Sequence, residues 1–181
     1  MKYPKPINLI VGLMLMIPMD LSAGIGEETE AILHQIFPGA DDFEFKTLEL
    51  DHQAKRQAEI ASRQAFQMEK IFLWEIRSGE EVIGFAVLDN VQGKVQPITY
   101  VVVYDRKLAV VAVRIIRYRE QYGGAVQDPS WLDQFKGFKA DSKFLLGADI
   151  DGITGATLSA NALTRGVKRI SVYVSLLIGK D

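Results

Sequence analysis

The sequence predicts an α+β protein: an antiparallel sheet, preceded by N-terminal helices and closed by a C-terminal helix packed on the sheet. Three observations predict it. Ile71 to Ile76, Val82 to Leu88, Ile98 to Tyr104 and Leu108 to Ile116 are rich in β-branched and aromatic residues, as strands are. Ser78-Gly79-Glu80 and Asp105-Arg106-Lys107 connect them and are short enough for hairpins, whereas parallel neighbours need a long crossover. Near the end, Leu163, Val167, Ile170, Val174 and Leu177 recur at steps of four and three, the period of one helix face.

Each element has a local cause. Lys2 and Lys5 precede an apolar run from Ile7 to Ile17, and Leu21-Ser22-Ala23 offers small residues for cleavage. Residues 1–23 therefore read as a signal peptide, with a retained N-terminal anchor as the rival reading. The run is short against the roughly 20 residues a spanning helix needs. Residues 24–68 read as a helical lead-in. Glu27 to Ile36 places Ala31, Ile32 and Ile36 at helical spacing before Phe37-Pro38-Gly39 ends the helix. Asp51 is positioned to cap a second helix from His52 to about Phe66, with Lys55, Arg56, Glu59 and Arg63 on a solvated face. Residues 69–181 form the sheet and the closing helix, in which Arg165, Lys168 and Arg169 are expected to face away from the apolar stripe. A disruptive change such as Val167→Asp should move that helix and whatever it positions.

Composition excludes several function classes. With 181 residues and 48% hydrophobic content, the chain can bury one solid core. A formal net charge of −2 lacks the basic excess that nucleic-acid binding demands, so no nucleic-acid partner is expected. There are no cysteines, which rules out disulfides, thiolate iron–sulfur ligation, thioether haem attachment and a thiol nucleophile. His34 and His52, the two histidines, are expected to be surface or satisfied structural groups. No metal site is expected, and any redox chemistry must come from an organic cofactor.

The segment Asp151-Gly152-Ile153-Thr154-Gly155-Ala156-Thr157 sets a hydroxyl at the entrance of the last helix, with small residues in front of it. A helix N-terminus offers unpaired N–H groups and the positive end of the macrodipole, a setting that favours phosphate. On spacing alone, a Thr there is equally ordinary as a helix cap. Upstream, Tyr122-Gly123-Gly124 would let the backbone approach a flat ring closely, or would be a plain flexible loop. Trp131 and Phe135, four apart, read as core residues, and stacking on a ring is the sharper alternative. Of Arg114, Arg117 and Arg119, the last two share a strand face if the strand runs that far, and either could meet a phosphate.

The heptad ending in Thr157 resembles the flavinylation motif of the FMN-binding domain family, which is related to the FMN-carrying subunits of Rnf/Nqr-type redox complexes. That motif runs Asp, two variable residues, Ser or Thr, a small residue, Ala, then Thr or Ser. Tyr118-Arg119-Glu120-Gln121-Tyr122-Gly123-Gly124 resembles the loop ahead of the family's flavin site. Trp131-Leu132-Asp133-Gln134-Phe135-Lys136-Gly137 resembles its short Trp/Phe segment, so the likeness covers about Gly84 to Leu177. One departure is the turn Gly93-Lys94-Val95-Gln96-Pro97, which lacks the acidic or His residues expected nearby.

The resemblance implies that a flavin transferase uses FAD as donor and leaves FMN joined through its phosphate to Thr157, with Asp151 the leading acid of the motif. Thr154, Gly155 and Ala156 complete the cofactor-binding segment, and Glu120, Gly123 and Gly124 contribute from the upstream loop. It implies an electron carrier relaying electrons between redox partners, membrane-bound ones included, rather than a stand-alone catalyst, and the N-terminal signal pattern adds export to the periplasm or another extracytoplasmic face. Two other classes stay open at this point. One is a cofactor-free exported binding or structural domain in which Thr157 only caps a helix. The other is a hydrolase using Thr157 or Ser159, which lacks a nearby base in sequence.

Overall fold

The structure is a computed structural model describing residues 24–179. The signal or anchor reading of residues 1–23 lies outside the described residues. Chain order is α1 (Ile25–Ile36), β1 (Asp42–Glu49), α2 (His52–Ser62), β2 (Lys70–Ser78), β3 (Glu81–Gln92), β4 (Pro97–Asp105), β5 (Val110–Arg117), α3 (Pro129–Leu132) and α4 (Thr157–Ile178). The five strands form one antiparallel meander in the order β1-β2-β3-β4-β5, so the α+β class is as the sequence predicts.

Strand β1 is the element the hydrophobic pattern alone did not disclose. Phe43 and Phe45 alternate with Glu44 and Lys46, and the strand pairs with β2 from Asp42 opposite Arg77 to Glu49 opposite Lys70. It is an edge strand studded with charge. Lys46 bridges Glu75 at 2.7 Å and Glu44 at 3.3 Å across its outer surface, and such charges discourage pairing with another chain. The β2–β3 turn at Gly79-Glu80 and the β4–β5 turn after Asp105 fall where short hairpins were expected. In the second, the Asp105 carboxylate accepts from the N–H groups of Lys107 and Ala109.

Both faces of the sheet are covered, which explains why β4 reads as a continuous apolar run. Trp74, Ile76, Ala86, Leu88, Val101, Val103, Ala112 and Ile116 point to one side, where α1 contributes Ile25 and Leu33. Alternate residues, among them Leu73, Val87, Tyr100, Val102 and Val113, point to the other side and meet α2 and α4. Helix α2 stops at Ser62, short of Phe66, because Arg63 takes a left-handed conformation at φ 55°. Asp51 caps α2 as expected, accepting from Ala54 N at 2.8 Å. Ala54, Ala58 and Ser62 are its buried stripe and bring it close to α4.

Helix α4 carries the predicted stripe, with Leu163, Val167, Ile170 and Val174 buried and Leu177 in its last turn 38% exposed. Its seating is tight. A Cβ at Gly166 would collide with Val91 Cγ1 and stand 2.5 Å from the Tyr100 hydroxyl, so no larger residue fits there.

One expectation fails. Arg169 does not face solvent with Arg165: it is wholly buried. Its Nη2 donates to Asp89 Oδ2 at 2.5 Å and to Asn90 O at 3.1 Å, and its Nη1 donates to Ala65 O. Tyr100 donates its phenol proton to the same Asp89 oxygen at 2.8 Å. The guanidinium lies 4.5 Å from the centre of the Phe66 ring, which in turn meets Tyr173 edge-on. Burial, then the Asp89 charge, pushes the Tyr100 phenol well above its ordinary range, so it remains a donor. Arg169 was misread because helical spacing marks it as flanking the stripe, and its partner Asp89 is a lone acid inside an apolar strand. Removing one member of a buried ion pair leaves the other charge unpaired. Arg169→Ala should therefore lower unfolding free energy by about 3–5 kcal/mol, read by urea titration. The exposed change Arg56→Ala on α2 should leave it within about 0.5 kcal/mol of the parent.

Candidate functional site

Helix α4 begins at Thr157, and its N-cap is Ala156, whose carbonyl accepts from Ala160 N at 2.9 Å. No side chain caps this end of the 22-residue helix. Thr157 is exposed, and its Oγ1 makes one long contact, 3.4 Å, with Ile153 O. The reading of Thr157 as a cap is therefore overturned: it sits one residue inside the helix, and its hydroxyl turns back to the preceding turn. The N–H groups of the first turn stay free for a ligand oxygen, and the hydroxyl stands clear of them.

The preceding segment explains this presentation. Gly155 adopts φ +80°, a left-handed turn that an L side chain would strain, and the chain doubles back so that Ala156 N donates to Ile153 O at 3.0 Å. Ala156 is buried, while Thr154, Gly155 and Thr157 are exposed. The segment is anchored at its start through backbone atoms. Trp131 Nε1 donates to Asp151 O at 2.8 Å, and Asp151 N donates to Gln134 Oε1 at 2.9 Å. The Asp151 carboxylate is left at the surface with no hydrogen-bond partner among the described residues. Trp131 is itself fixed by the short helix α3. Asp128 accepts from Ser130 N at 2.8 Å, and Pro129 opens the helix. Trp131 and Phe135 are both buried and meet edge to face at 5.5 Å, so they are core residues and not a stacking surface.

The upstream loop does reach the motif. Gly123 has φ +82°, and a Cβ there would meet the Tyr118 hydroxyl at 2.9 Å, Ser159 Oγ at 3.2 Å and Ala156 Cα at 3.6 Å. Tyr118 donates to Tyr122 O at 2.6 Å, and its oxygen lies 3.4 Å from Ser159 Oγ. Tyr118 and Ser159 thus clasp the Gly123-Gly124 loop against the first turn of α4, a role the sequence pattern did not single out. Gly124 begins a 3₁₀ turn over Gly124–Gln127.

Glu120 lies at the surface and holds a different element. Its Oε1 accepts from Val95 N at 2.7 Å and Gln96 N at 3.1 Å, clamping the β3–β4 hairpin. The acid missing from the Gly93-Lys94-Val95-Gln96 sequence is thus supplied across space. These N–H donors, that of Val95 foremost, hold the Glu120 carboxyl below its ordinary value of 4.5. The arginines are engaged elsewhere. Arg114 pairs with Asp133 at 3.2 Å, Arg117 with Glu28, and Arg119 donates to Thr99 Oγ1 at 3.2 Å. Strand β5 ends at Arg117, so Arg117 and Arg119 share no strand face.

The histidines are remote. His34, in the last turn of α1, meets Phe43 of β1 edge-on at 4.4 Å. His52 follows Asp51, whose N–H donates to the Tyr173 hydroxyl, about 24 Å along α4 from Thr157. Neither can serve as a base to Thr157 or Ser159, which removes the histidine-assisted hydrolase reading. Among the described residues, no cluster of His, Cys, Asp and Glu could hold a metal.

An uncapped long helix, an exposed hydroxyl at its first residue and a glycine loop pressed against the same turn can receive a phosphate-bearing cofactor. A family model described as the FMN-binding domain matches residues 93–171, from the β3–β4 hairpin into α4. The chain is also similar to one of the subunits of the Na(+)-translocating ferredoxin:NAD(+) oxidoreductase complex of Acetobacterium woodii, 26% identical over 189 residues spanning 94% of this chain and 88% of that one.

The clamp by Glu120 can be tested through its titration. A carboxyl with a lowered pKa holds its partners fully above its ordinary value and releases them as pH falls through the lowered one. The amide proton resonances of Val95 and Gln96 should therefore move together with a midpoint below 4.5, and Glu120→Gln should abolish that titration.

Proposed function

We propose that the protein is an exported electron carrier holding FMN as a phosphoester on Thr157. The observation that carries this reading is the uncapped, exposed N-terminus of α4 with Thr157 at its first position, inside the family-matched segment. Thr157 serves as tether. The free N–H groups of the first helical turn, on residues 157–159, donate to the phosphate oxygens, with the positive end of the macrodipole behind them. Gly155 keeps the approach to the hydroxyl open, and Gly123 and Gly124 allow main chain to come close to the bound group. FMN so held supplies reversible electron uptake and release.

The other residues hold this platform still. Tyr118 and Ser159 join loop to helix, Glu120 fixes the neighbouring hairpin, and Trp131 pins the backbone at Asp151. In attachment, Thr157 Oγ1 forms a bond to the flavin-side phosphorus of FAD, the bond from that phosphorus to AMP breaks, and the hydroxyl proton passes to solvent or an enzyme base. A flavin transferase supplies the active site for that exchange. The named relative belongs to a ferredoxin:NAD(+) oxidoreductase complex, which supports redox-protein partners for this chain as well. Export rests on the N-terminal sequence pattern, and no helix among the described residues is long and apolar enough to cross a membrane.

The test is peptide mass after co-expression with a flavin transferase. Trypsin should release residues 144–165, the peptide that contains Thr157. That peptide should gain one FMN less one water, Thr157→Ser should keep the gain, and Thr157→Val should lose it. An adduct that persists on Thr157→Val would overturn the assignment.

A further inference from the structure

The face of α4 that starts at Thr157 continues through Asn161, then the adjacent Thr164 and Arg165, then Lys168, at successive turns of the helix. Those four residues, with Arg63 after α2 and Lys143 from the loop before the motif, border an open cleft of about 370 Å³. No carboxylate lines it. Arg63, Lys143 and Arg165 are exposed, and none makes an ion pair or side-chain hydrogen bond among the described residues. Lys168 is placed deeper, donating to Ala140 O at 2.8 Å and Ser142 O at 2.5 Å over the Phe144 ring. A chain of net charge −2 thus gathers unpaired positive charge in one groove, beginning one helical turn from the acceptor hydroxyl.

We propose that this cleft is the docking surface for the flavin transferase, which meets it with an acidic surface. The inference rests on the reading of Thr157 as the flavin acceptor. An enzyme that modifies Thr157 must close around the start of α4, and this cleft opens one turn beyond it, at Asn161. Arg165 lies about 12 Å along the helix axis from Thr157, within the footprint of any protein seated on the hydroxyl. Charges so placed steer a complementary partner and fix its register, and they act more on association than on the bond-making step. The same field draws the FAD diphosphate toward Thr157 as the transferase arrives.

The test compares the parent chain with the triple variant Arg63→Gln, Lys143→Glu, Arg165→Glu, using a transferase that flavinylates the parent. The kcat/KM for FMN incorporation should fall about tenfold or more, and its decline with added salt should flatten. In a Thr157→Val background, which cannot react, calorimetric titration with the transferase should show Kd weakened by a similar factor. An unchanged melting temperature establishes that the variant is folded, and Arg165→Gln alone should give a smaller loss in the same direction. Incorporation within about twofold of the parent would overturn the proposal, as would slower incorporation with unchanged Kd. Normal incorporation with lost electron exchange would assign the cleft to a redox partner and overturn it equally. A parent chain that never takes up FMN would refute the flavin reading itself, an outcome distinct from these.

Discussion

The buried pair between Arg169 and Asp89 is the constraint on which the site's position depends. A charged side chain taken wholly out of water is tolerated only where charge and hydrogen bonds meet it. Asp89, Asn90 O and Ala65 O meet Arg169 from β3 and from the chain after α2. That fixes both the rotation of α4 about its axis and its register along the sheet. Thr157 lies about 18 Å up the same rigid helix, so a rotation that freed Arg169 would turn the face carrying Thr157 away from the Gly123 loop. Tyr173 and Gln64 reinforce the seating through Asp51 N and Ala162 O, which locks α2 to α4 at both ends. The close approach at Gly166 leaves no room for an alternative register.

From that platform, the chemistry of the site follows with few parts. The helix supplies free N–H groups and a positive end, and Gly155 turns the chain so that bulk stays away from the hydroxyl. Trp131 and Gln134 hold the segment by its backbone and leave the Asp151 carboxylate free at the surface. The loop side is closed by the Tyr118 hydroxyl, which reaches both Tyr122 O and Ser159. Such an arrangement suits the attachment and presentation proposed for Thr157: no histidine stands near it, and the hydroxyl is exposed.

Much of this was legible in the sequence because it depends on local pattern. The alternation in β2 to β5, the turn residues between them and the stripe on α4 each answer to period and burial. What the pattern concealed depends on contacts between distant residues. Strand β1 lies among charges because an edge strand must repel other chains, and its Phe43-Glu44-Phe45 alternation is too short to stand out. Arg169 sits where a solvated cation would, and only the fold brings Asp89 to it. Glu120 is twenty-four residues beyond Gln96 in sequence yet supplies the acid of that hairpin. Thr157 was placed at the helix entrance correctly, but whether it capped the helix or stood free was a matter of one residue, decided by the turn at Gly155.

The most direct measurement is the phosphorus resonance of the flavin-loaded protein followed across neutral pH. A phosphate bearing a single ester titrates near pH 6, whereas a diester has no proton to lose in that range. A phosphoester on Thr157 makes the FMN phosphate a diester, so its resonance should hold constant between about pH 5 and 8. A resonance that shifts with a midpoint near 6 would show a free monoester and would contradict the tether on Thr157.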